Sequence, residues 1–448
     1  MKLSKILKNL RILTEVKNHK VTGIYNNSKE CTYNSIFIAL GGINNDGNNF
    51  IDEAIRNGAK TIITEKDIKK EVNVIRVKNI KEIEAKVAKV FYKDLSSKIK
   101  IIGVTGTNGK TSVTTLLHNF LKQWGSVLIG TNGAFINDEF HSLSNTTPDI
   151  LTTYKFLKEA VTRHFRFAVM EVSSIGISEY RVHGLAFEYT IYTNISHDHL
   201  DYHKTTQNYI EAKRKLLIQT KRHNLINKDD HILYNFRDFR SIYYSLNEVE
   251  VLSEEPLIFK FNDSRYYSRL YGKFNVYNIM ACIKILSLMG INLIKFKEYL
   301  KDFKKIDGRM NVYSVQDKKI VIDYAHSPGA VKNVLETFKG CVVIGCGGDR
   351  DILKRKVIAE ICLDKAEFSV FTSDNPRTES LYKIFNDMTF GLKGDYLIIP
   401  DRYSAIEYAI KNFNTILILG KGNEEFQVVG NKKIRFSDLK AVKRILKE

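Results

Sequence analysis

The stretch "GVTGTNGKTS", Gly103–Ser112, constrains this chain more than any other. It is entered through "KIKII", an apolar run of strand character, and left through "KTSVTTLLHNFLKQWG", a helical pattern. A glycine loop between a strand and a helix turns backbone N–H groups and the helix N-terminus toward one point, which suits phosphate oxygens. Lys110 is then placed to reach the terminal phosphates of a nucleotide, and Thr111 to offer its hydroxyl to Mg²⁺. The spacing is unusual. The common form G-x-x-x-x-G-K-[ST], counted back from Gly109-Lys110-Thr111, asks for glycine where Val104 stands, and the glycines fall at 103, 106 and 109 instead. A tight structural turn could use the same glycines, but Lys-Thr at the helix start points to a nucleotide.

The rest of the chain predicts an α/β protein of three domains. Residues 1–98 hold short apolar runs, "SIFIAL", "TIITE" and "NVIRV", around the turn-rich "GGINNDGNNF" and a helix "FIDEAIRNGAK" that ends at a glycine. Residues 99–307 begin with the glycine loop and continue through "FRFAVMEV" (165–172) and "YTIYTNIS" (189–196), apolar enough to be buried on both faces of a parallel sheet. Residues 220–270 are polar and match no element, and "FNVYNIMACIKILSLMG" reads as a helix capped by Gly290. In residues 308–448 the strands "KIVIDYA", "CVVIGCGG", "FSVFTSD" and "TILILGKG" alternate with helical segments. That alternation predicts a doubly wound, Rossmann-like sheet with its working residues beyond the strand C-termini.

Composition narrows the class. Of 448 residues, 44% are hydrophobic and 27% charged, as in a soluble globular chain. No apolar run is long enough to span a membrane, and "MKLSKILKNLRIL" reads as an amphipathic first helix rather than a secretory leader. Five scattered cysteines, Cys31, Cys282, Cys341, Cys346 and Cys362, indicate reduced thiols in the cytoplasm rather than disulfides or a zinc site. The net charge of +19 is spread along the chain without a basic block or an aromatic RNA motif, so we read a lysine- and asparagine-rich surface, with a contribution from anionic small-molecule substrates, rather than nucleic-acid binding.

Chemistry gathers at the predicted strand ends. "MEVSS" puts Glu171 at the end of a buried strand, where it needs either a metal or a basic partner. "TNISHDHLDYH" packs His197, Asp198, His199, Asp201 and His203 together. His-x-His invites zinc, but nothing completes a zinc set and a nucleotide site is near, so we read a Mg²⁺ shell, with His203 outside it. In the last domain "DYAHSP", "GCGGDRD", "DNPR" and "GKGNEEFQ" each follow a strand. Asp, Arg and Glu at one sheet edge suit a zwitterion: guanidinium forks take carboxylates and Glu takes an ammonium.

These motifs, with "NTTPD", "RVHG", "YIEAKRKLL", "GKFNVYN" and "DGRM", run in order between about residues 25 and 430. In that order they resemble the Mur ligases, ATP-dependent amide-bond-forming enzymes of peptidoglycan precursor synthesis, and most of all their MurE type. The resemblance implies an ATP loop at Thr105, Gly106, Thr107, Asn108, Gly109, Lys110, Thr111 and Ser112. It implies further nucleotide contacts at Asn278, Arg309, Asp323 and His326. Two Mg²⁺ ions are implied at Thr111, Glu171, His199 and Lys213, the last carbamylated; by residue type alone Lys213 would pass as a helix-surface lysine. Lys110, Lys213 and His199 are the implied catalytic residues. Ser28, Thr146, Thr147, Ser173 and Arg181 would hold UDP-N-acetylmuramoyl-dipeptide. Arg350, Asp374, Asn375, Pro376, Arg377, Gly420 and Glu424 would hold meso-diaminopimelate, whose distal carboxylate meets Arg377.

The implied reaction forms an acyl phosphate from the D-glutamyl carboxylate and ATP, then an amide, in a cytoplasmic monomer. The chain departs from the family's usual form at Asn27 and Lys29, Ile175, Glu179, His197, Asn311 and Asn423, mostly around the substrate, while the phosphate and metal positions are intact. The alternatives are a diverged paralogue, such as a lysine-adding or folylpolyglutamate synthase-like enzyme, and a catalytically silent nucleotide-binding protein.

Overall fold

A computed structural model describes the whole chain except residues 9, 11–15, 43–45 and 448. The first helix spans Leu3–Leu7, with Lys8 and Leu10 beyond its end; residues 9 and 11–13 of the expected N-terminal helix and residues 43–45 of "GGINNDGNNF" lie outside the described residues. Two compact units emerge, and each is taken by itself. The first comprises Met1–Thr105, Leu117–Ile191 and Ala212–Asn224, the second Gly106–Leu116, Tyr192–Glu211 and Leu225–Glu448.

The first unit opens with a parallel sheet of Ile24–Tyr25, Ser35–Ile38, Ala59–Thr64 and Asn73–Arg76, in that spatial order. Its three apolar runs are the strands the sequence predicts. Helix Ile51–Arg56 covers one face through Ile51 and Ala54, packed on Phe37 and Ile62. Seven neighbouring strands of a second, eight-stranded sheet run in the order Thr220–Asn227, Phe187–Tyr192, Lys100–Thr105, Phe167–Glu171, Ser126–Gly130, Gly133–Ile136 and Glu139–His141. Lys100–Thr105 and Ser126–Gly130 flank Phe167–Glu171 in parallel, and all three strands are buried almost throughout. That burial is why they read as continuous apolar runs rather than alternating ones.

The second unit contains the antiparallel sheet Val249–Glu254, Leu257–Phe261 and Ser264–Ser268, inside the stretch the sequence left unassigned. Its outer strands, Val249–Glu254 and Ser264–Ser268, mix polar with apolar residues and carry no long apolar run, which leaves the short run at Leu257–Phe261 without marked neighbours. The larger sheet has the order Asn311–Val315, Lys318–Asp323, Thr415–Leu419, Cys341–Ile344, Phe368–Phe371, Tyr396–Ile398. Only the first pair is antiparallel. Side chains alternate across it, as the strand pleat requires. Val321, Val342, Ile344, Leu417 and Leu419 pack under the helices Pro328–Thr337, Leu353–Lys365 and Leu381–Thr389. Ile320, Ile322, Val343, Ile416 and Ile418 pack under Arg402–Asn412 and Asp438–Leu446. This is the doubly wound fold expected. The register sets Asp323 and Ile344 beside Leu419, and Ile344 beside Phe371, so four loops leave the sheet at one edge.

One strand ends early. "YTIYTNIS" is paired only to Tyr192, because the next residues turn their backbone groups to the glycine loop. Thr107 N–H donates to Asn194 O at 2.7 Å, and Ser196 N–H donates to Thr107 Oγ1 at 2.9 Å. All five cysteines are free and buried. Among the described residues no helix is long and apolar enough to cross a membrane.

Candidate functional site

In the second unit the glycine loop is held from below. Asn108 N–H donates to Asn194 Oδ1 at 2.9 Å, Thr193 Oγ1 donates to Asn108 O at 2.5 Å, and Thr107 Oγ1 lies 2.8 Å from the buried Tyr209 hydroxyl. Gly106 and Gly109 have positive φ, and a Cβ on either would meet Thr193 Oγ1 at 1.8 Å or Asn278 Oδ1 at 2.6 Å. Both the backbone and the space therefore demand glycine there, and Val104, buried in the strand before the loop, is not asked to turn. Lys110 opens the helix, with its Nζ donating to Gly106 O and Thr107 O at 2.9 and 2.8 Å. The lysine thus lies along the loop whose N–H groups it would share with a phosphate.

Around this loop the second unit collects the other predicted nucleotide residues. Arg309 donates to Thr111 Oγ1 at 2.9 Å and lies over the Tyr324 ring. Asp323 accepts from Met310 N–H and Ala325 N–H, both at 2.6 Å; burial raises its pKa while Arg309 and those bonds oppose the rise. His326 is held by the Tyr324 carbonyl, and burial, reinforced by Lys354, depresses it to about 4 against the pull of Asp198. Asp198 is buried too, yet its pKa is lowered: desolvation works against the charge, but His199, Lys354, His326 and Lys110 outweigh it. Lys110, His199 and His326 therefore share one neighbourhood, as the sequence predicts, and Lys354 is a member no motif announced. His203 is buried against Tyr202 and Tyr209.

The same unit brings the amino-acid candidates to the sheet edge. Arg377, at φ 52°, spends Nη1 on Gly348 O and Asn375 O. Its Nε and Nη2 make no hydrogen bond among the described residues. A Cβ on Gly347 would lie 3.0 Å from Arg377 Nη1 and 3.6 Å from Arg350 Cγ, so that glycine gives both arginines room. Burial, then Arg350, lowers the Arg377 pKa, and the two guanidiniums compete unless an anion joins them. Opposite in charge are Asp374, buried and raised by that burial against the pull of Lys421 and Arg402, and Glu424. Gly420 packs on Asp374, and Pro376 O accepts from Glu379 N–H at 3.1 Å, closing the turn.

The first unit holds the remaining candidates. Glu171 is 1% exposed, and its two oxygens accept from Thr131 N–H and Thr131 Oγ1 at 2.9 and 3.0 Å. No Lys or Arg pairs with it among the described residues, so the basic-partner alternative drops out. Thr131 Oγ1 touches Thr146 Oγ1 at 3.0 Å. Thr147 Oγ1 joins Glu171 O to Ser173 Oγ, and Arg181 donates to Thr147 O at 3.0 Å. The predicted substrate residues are thereby one network with Glu171. Ser28 lies apart, bonded to Glu53. Lys213 is 2% exposed, its Nζ 3.5 Å from Thr105 Oγ1, which corrects the helix-surface reading that residue type alone gives it.

The donor set decides what metal fits. Among the described residues no three His, Cys, Asp or Glu side chains gather to hold one. The predicted set, Thr111 and His199 in the second unit and Glu171 and Lys213 in the first, comprises a hydroxyl, an imidazole, a carboxylate and, if Lys213 carries CO₂, a carbamate, three of the four being the oxygen ligands Mg²⁺ prefers. Several departures have partners of their own. Glu179 pairs with Lys81, His197 Nε2 lies 2.7 Å from Asp351, and buried Asn311 links Gly308 N–H to Ile306 O.

The chain also matches known proteins. Three family models cover it in succession: the Mur ligase family catalytic domain over residues 20–102, the Mur ligase middle domain over 104–286, and the Mur ligase glutamate ligase domain over 308–422. A UDP-N-acetylmuramoyl-L-alanyl-D-glutamate–2,6-diaminopimelate ligase of Fusobacterium nucleatum is 35% identical, over 98% of this chain and 96% of that protein. The enzyme of the same name from Bacillus licheniformis is 34% identical over the full length of both. A solved structure of such a ligase superposes with a TM-score of 0.66 at 27% identity, covering 99% of this chain and 98% of that one. MurF from Acinetobacter baumannii superposes at 0.68 with 15% identity over the same shares, a likeness of fold alone. With its glycine loop, sheet edge and three successive domain matches, this chain belongs to the Mur ligase family of ligases.

Proposed function

We propose that the protein is a cytoplasmic, monomeric ligase that uses ATP to join the D-glutamyl carboxylate of UDP-N-acetylmuramoyl-L-alanyl-D-glutamate to an amine of meso-diaminopimelate, a step of peptidoglycan precursor synthesis. Residues 1–98 take the UDP end, 99–307 take ATP and 308–448 take the amino acid. A carboxylate is a poor acyl donor, so its oxygen first attacks the γ-phosphorus and ADP leaves. The amine then attacks the acyl carbon, phosphate leaves with the oxygen, and a proton is lost as the amide forms. Lys110 and the loop N–H groups meet the charge on the transferring phosphoryl group, with Arg309, Asn278, Asp323 and His326 holding the nucleotide. Thr111, Glu171, His199 and carbamylated Lys213 are the proposed holders of Mg²⁺, which when bound supplies further charge neutralisation at the phosphates. Thr146, Thr147, Ser173, Arg181 and Ser28 orient the nucleotide-linked acid.

One observation carries the choice of amino acid. Arg377 and Arg350 flank Gly347, and among the described residues two donor nitrogens of Arg377 stay unspent beside the acidic Asp374 and Glu424. Such a pocket suits the carboxylate and ammonium at the far end of diaminopimelate, and lysine has no such carboxylate. The test is ADP release with the UDP-dipeptide and a panel of amino acids. Turnover is expected with meso-diaminopimelate and not with lysine; the reverse order would sink the assignment. Lys110→Ala should abolish ADP release, and retained turnover would refute the phosphoryl step.

A further inference from the structure

Lys421 lies in the turn after strand Thr415–Leu419, and no part of its side chain reaches solvent. A buried ammonium must spend its three donors. It does: Nζ donates to Glu424 Oε2 at 2.7 Å, Phe426 O at 2.8 Å and Asn375 Oδ1 at 3.2 Å. Two of those acceptors belong to amino-acid-site residues. Asn375 Oδ1 also accepts from Val428 N–H at 2.9 Å, and Asn375 Nδ2 donates to Glu424 Oε2 at 3.0 Å. The amide cannot flip without setting N–H groups against Nζ and Val428 N–H. Both lone-pair sides of Glu424 Oε2 are taken, while Oε1 makes no hydrogen bond among the described residues.

Charge points the same way. Lys421 is one cation beside two carboxylates, Glu424 and the buried Asp374; Arg402, also close, is paired with Asp438 at 2.8 Å. Arg377 also faces Asp374 and Glu424 but is assigned to the substrate carboxylate, and the acceptor left open here is Glu424 Oε1.

We propose that Lys421 is a positioning residue that fixes Asn375 and Glu424 so that Glu424 Oε1 receives the ammonium at the far end of the amino-acid substrate. The inference rests on the reading of this pocket as the diaminopimelate site. Lys421 acts through Glu424 and Asn375 without touching the ligand, whereas Arg377 serves the carboxylate. Its loss therefore damages recognition of the distal ammonium selectively.

Steady-state kinetics of the full chain with diaminopimelate and with 2-aminopimelate, which lacks only the distal amine, separates these roles. Lys421→Met should raise KM for diaminopimelate at least about ten-fold, the scale of a lost hydrogen bond to a charged group. KM for 2-aminopimelate, KM for ATP and kcat should stay within about three-fold. Lys421→Arg, which keeps charge and donors, should restore most of the preference. If Lys421→Met does not fold, Lys421→Gln is read instead, with the same selective loss expected. A parallel rise for both amino acids, or no rise for either, overturns the proposal. Failure of the unaltered protein to use diaminopimelate shows in the first measurement and overturns the underlying site reading instead.

Discussion

At the scale of single residues, burial separates the informative side chains from the ordinary ones. Glu171 is a carboxylate at 1% exposure with hydrogen bonds but, among the described residues, no cation, a costly arrangement unless a metal completes it. Glu171→Gln keeps the shape and removes the charge. Activity should fall by at least about a hundred-fold, since a metal contributes several kcal/mol to a phosphoryl transition state. The melting temperature of the metal-free protein should hold or rise, and a fall in it would mean that the carboxylate serves the fold. Glu171 was legible because a charge ending an apolar strand stands out. Lys213, Lys354 and Lys421 were not legible by residue type, since lysine is common on surfaces and a sequence does not print burial. Lys213 was found through the resemblance, Lys421 only through its three acceptors.

At the scale of elements, the sequence read best where strands are buried on both faces and worst where one face meets water. The central strands announce themselves as apolar runs, whereas Val249–Glu254 alternates and was left unassigned. The link between helix Lys110–Leu121 and strand Ser126–Gly130 carries a measurable consequence. His118 Nδ1 meets Ser126 Oγ and Nε2 meets Asn137 O, each at 3.0 Å. Burial, aided by Lys122, depresses its pKa from 6.5 to about 4, against the pull of the Asn137 carbonyl and Asp138. The folded state therefore binds this proton less readily than the unfolded chain. Its contribution to stability is whole above about pH 6.5 and is lost as pH falls toward about 4. Between pH 7.5 and 5 that loss is roughly 2 kcal/mol. Urea unfolding at the two pH values should show a decline that His118→Gln reduces by about that amount; an equal decline in the variant would mean that His118 does not titrate as described.

At the scale of the whole molecule, the net charge of +19 gains a purpose from the proposed substrates. ATP and the UDP-linked acid are polyanions, while diaminopimelate at neutral pH carries two carboxylates and two ammoniums and has no net charge. A positive field raises the rate at which anions arrive and does little for a neutral zwitterion, and salt screens it over about 8 Å at physiological ionic strength. Raising NaCl from about 50 to 300 mM should lower kcat/KM several-fold for both nucleotides and leave kcat/KM for diaminopimelate nearly level. The zwitterion is the control inside the same reaction, because all three substrates meet one enzyme in one buffer. A uniform decline for all three would assign the salt effect to the fold or the chemistry rather than to encounter. No change for any of them would leave the basic surface without a part in substrate capture, and salt-dependent retention on nucleic acid would then be the competing explanation to measure.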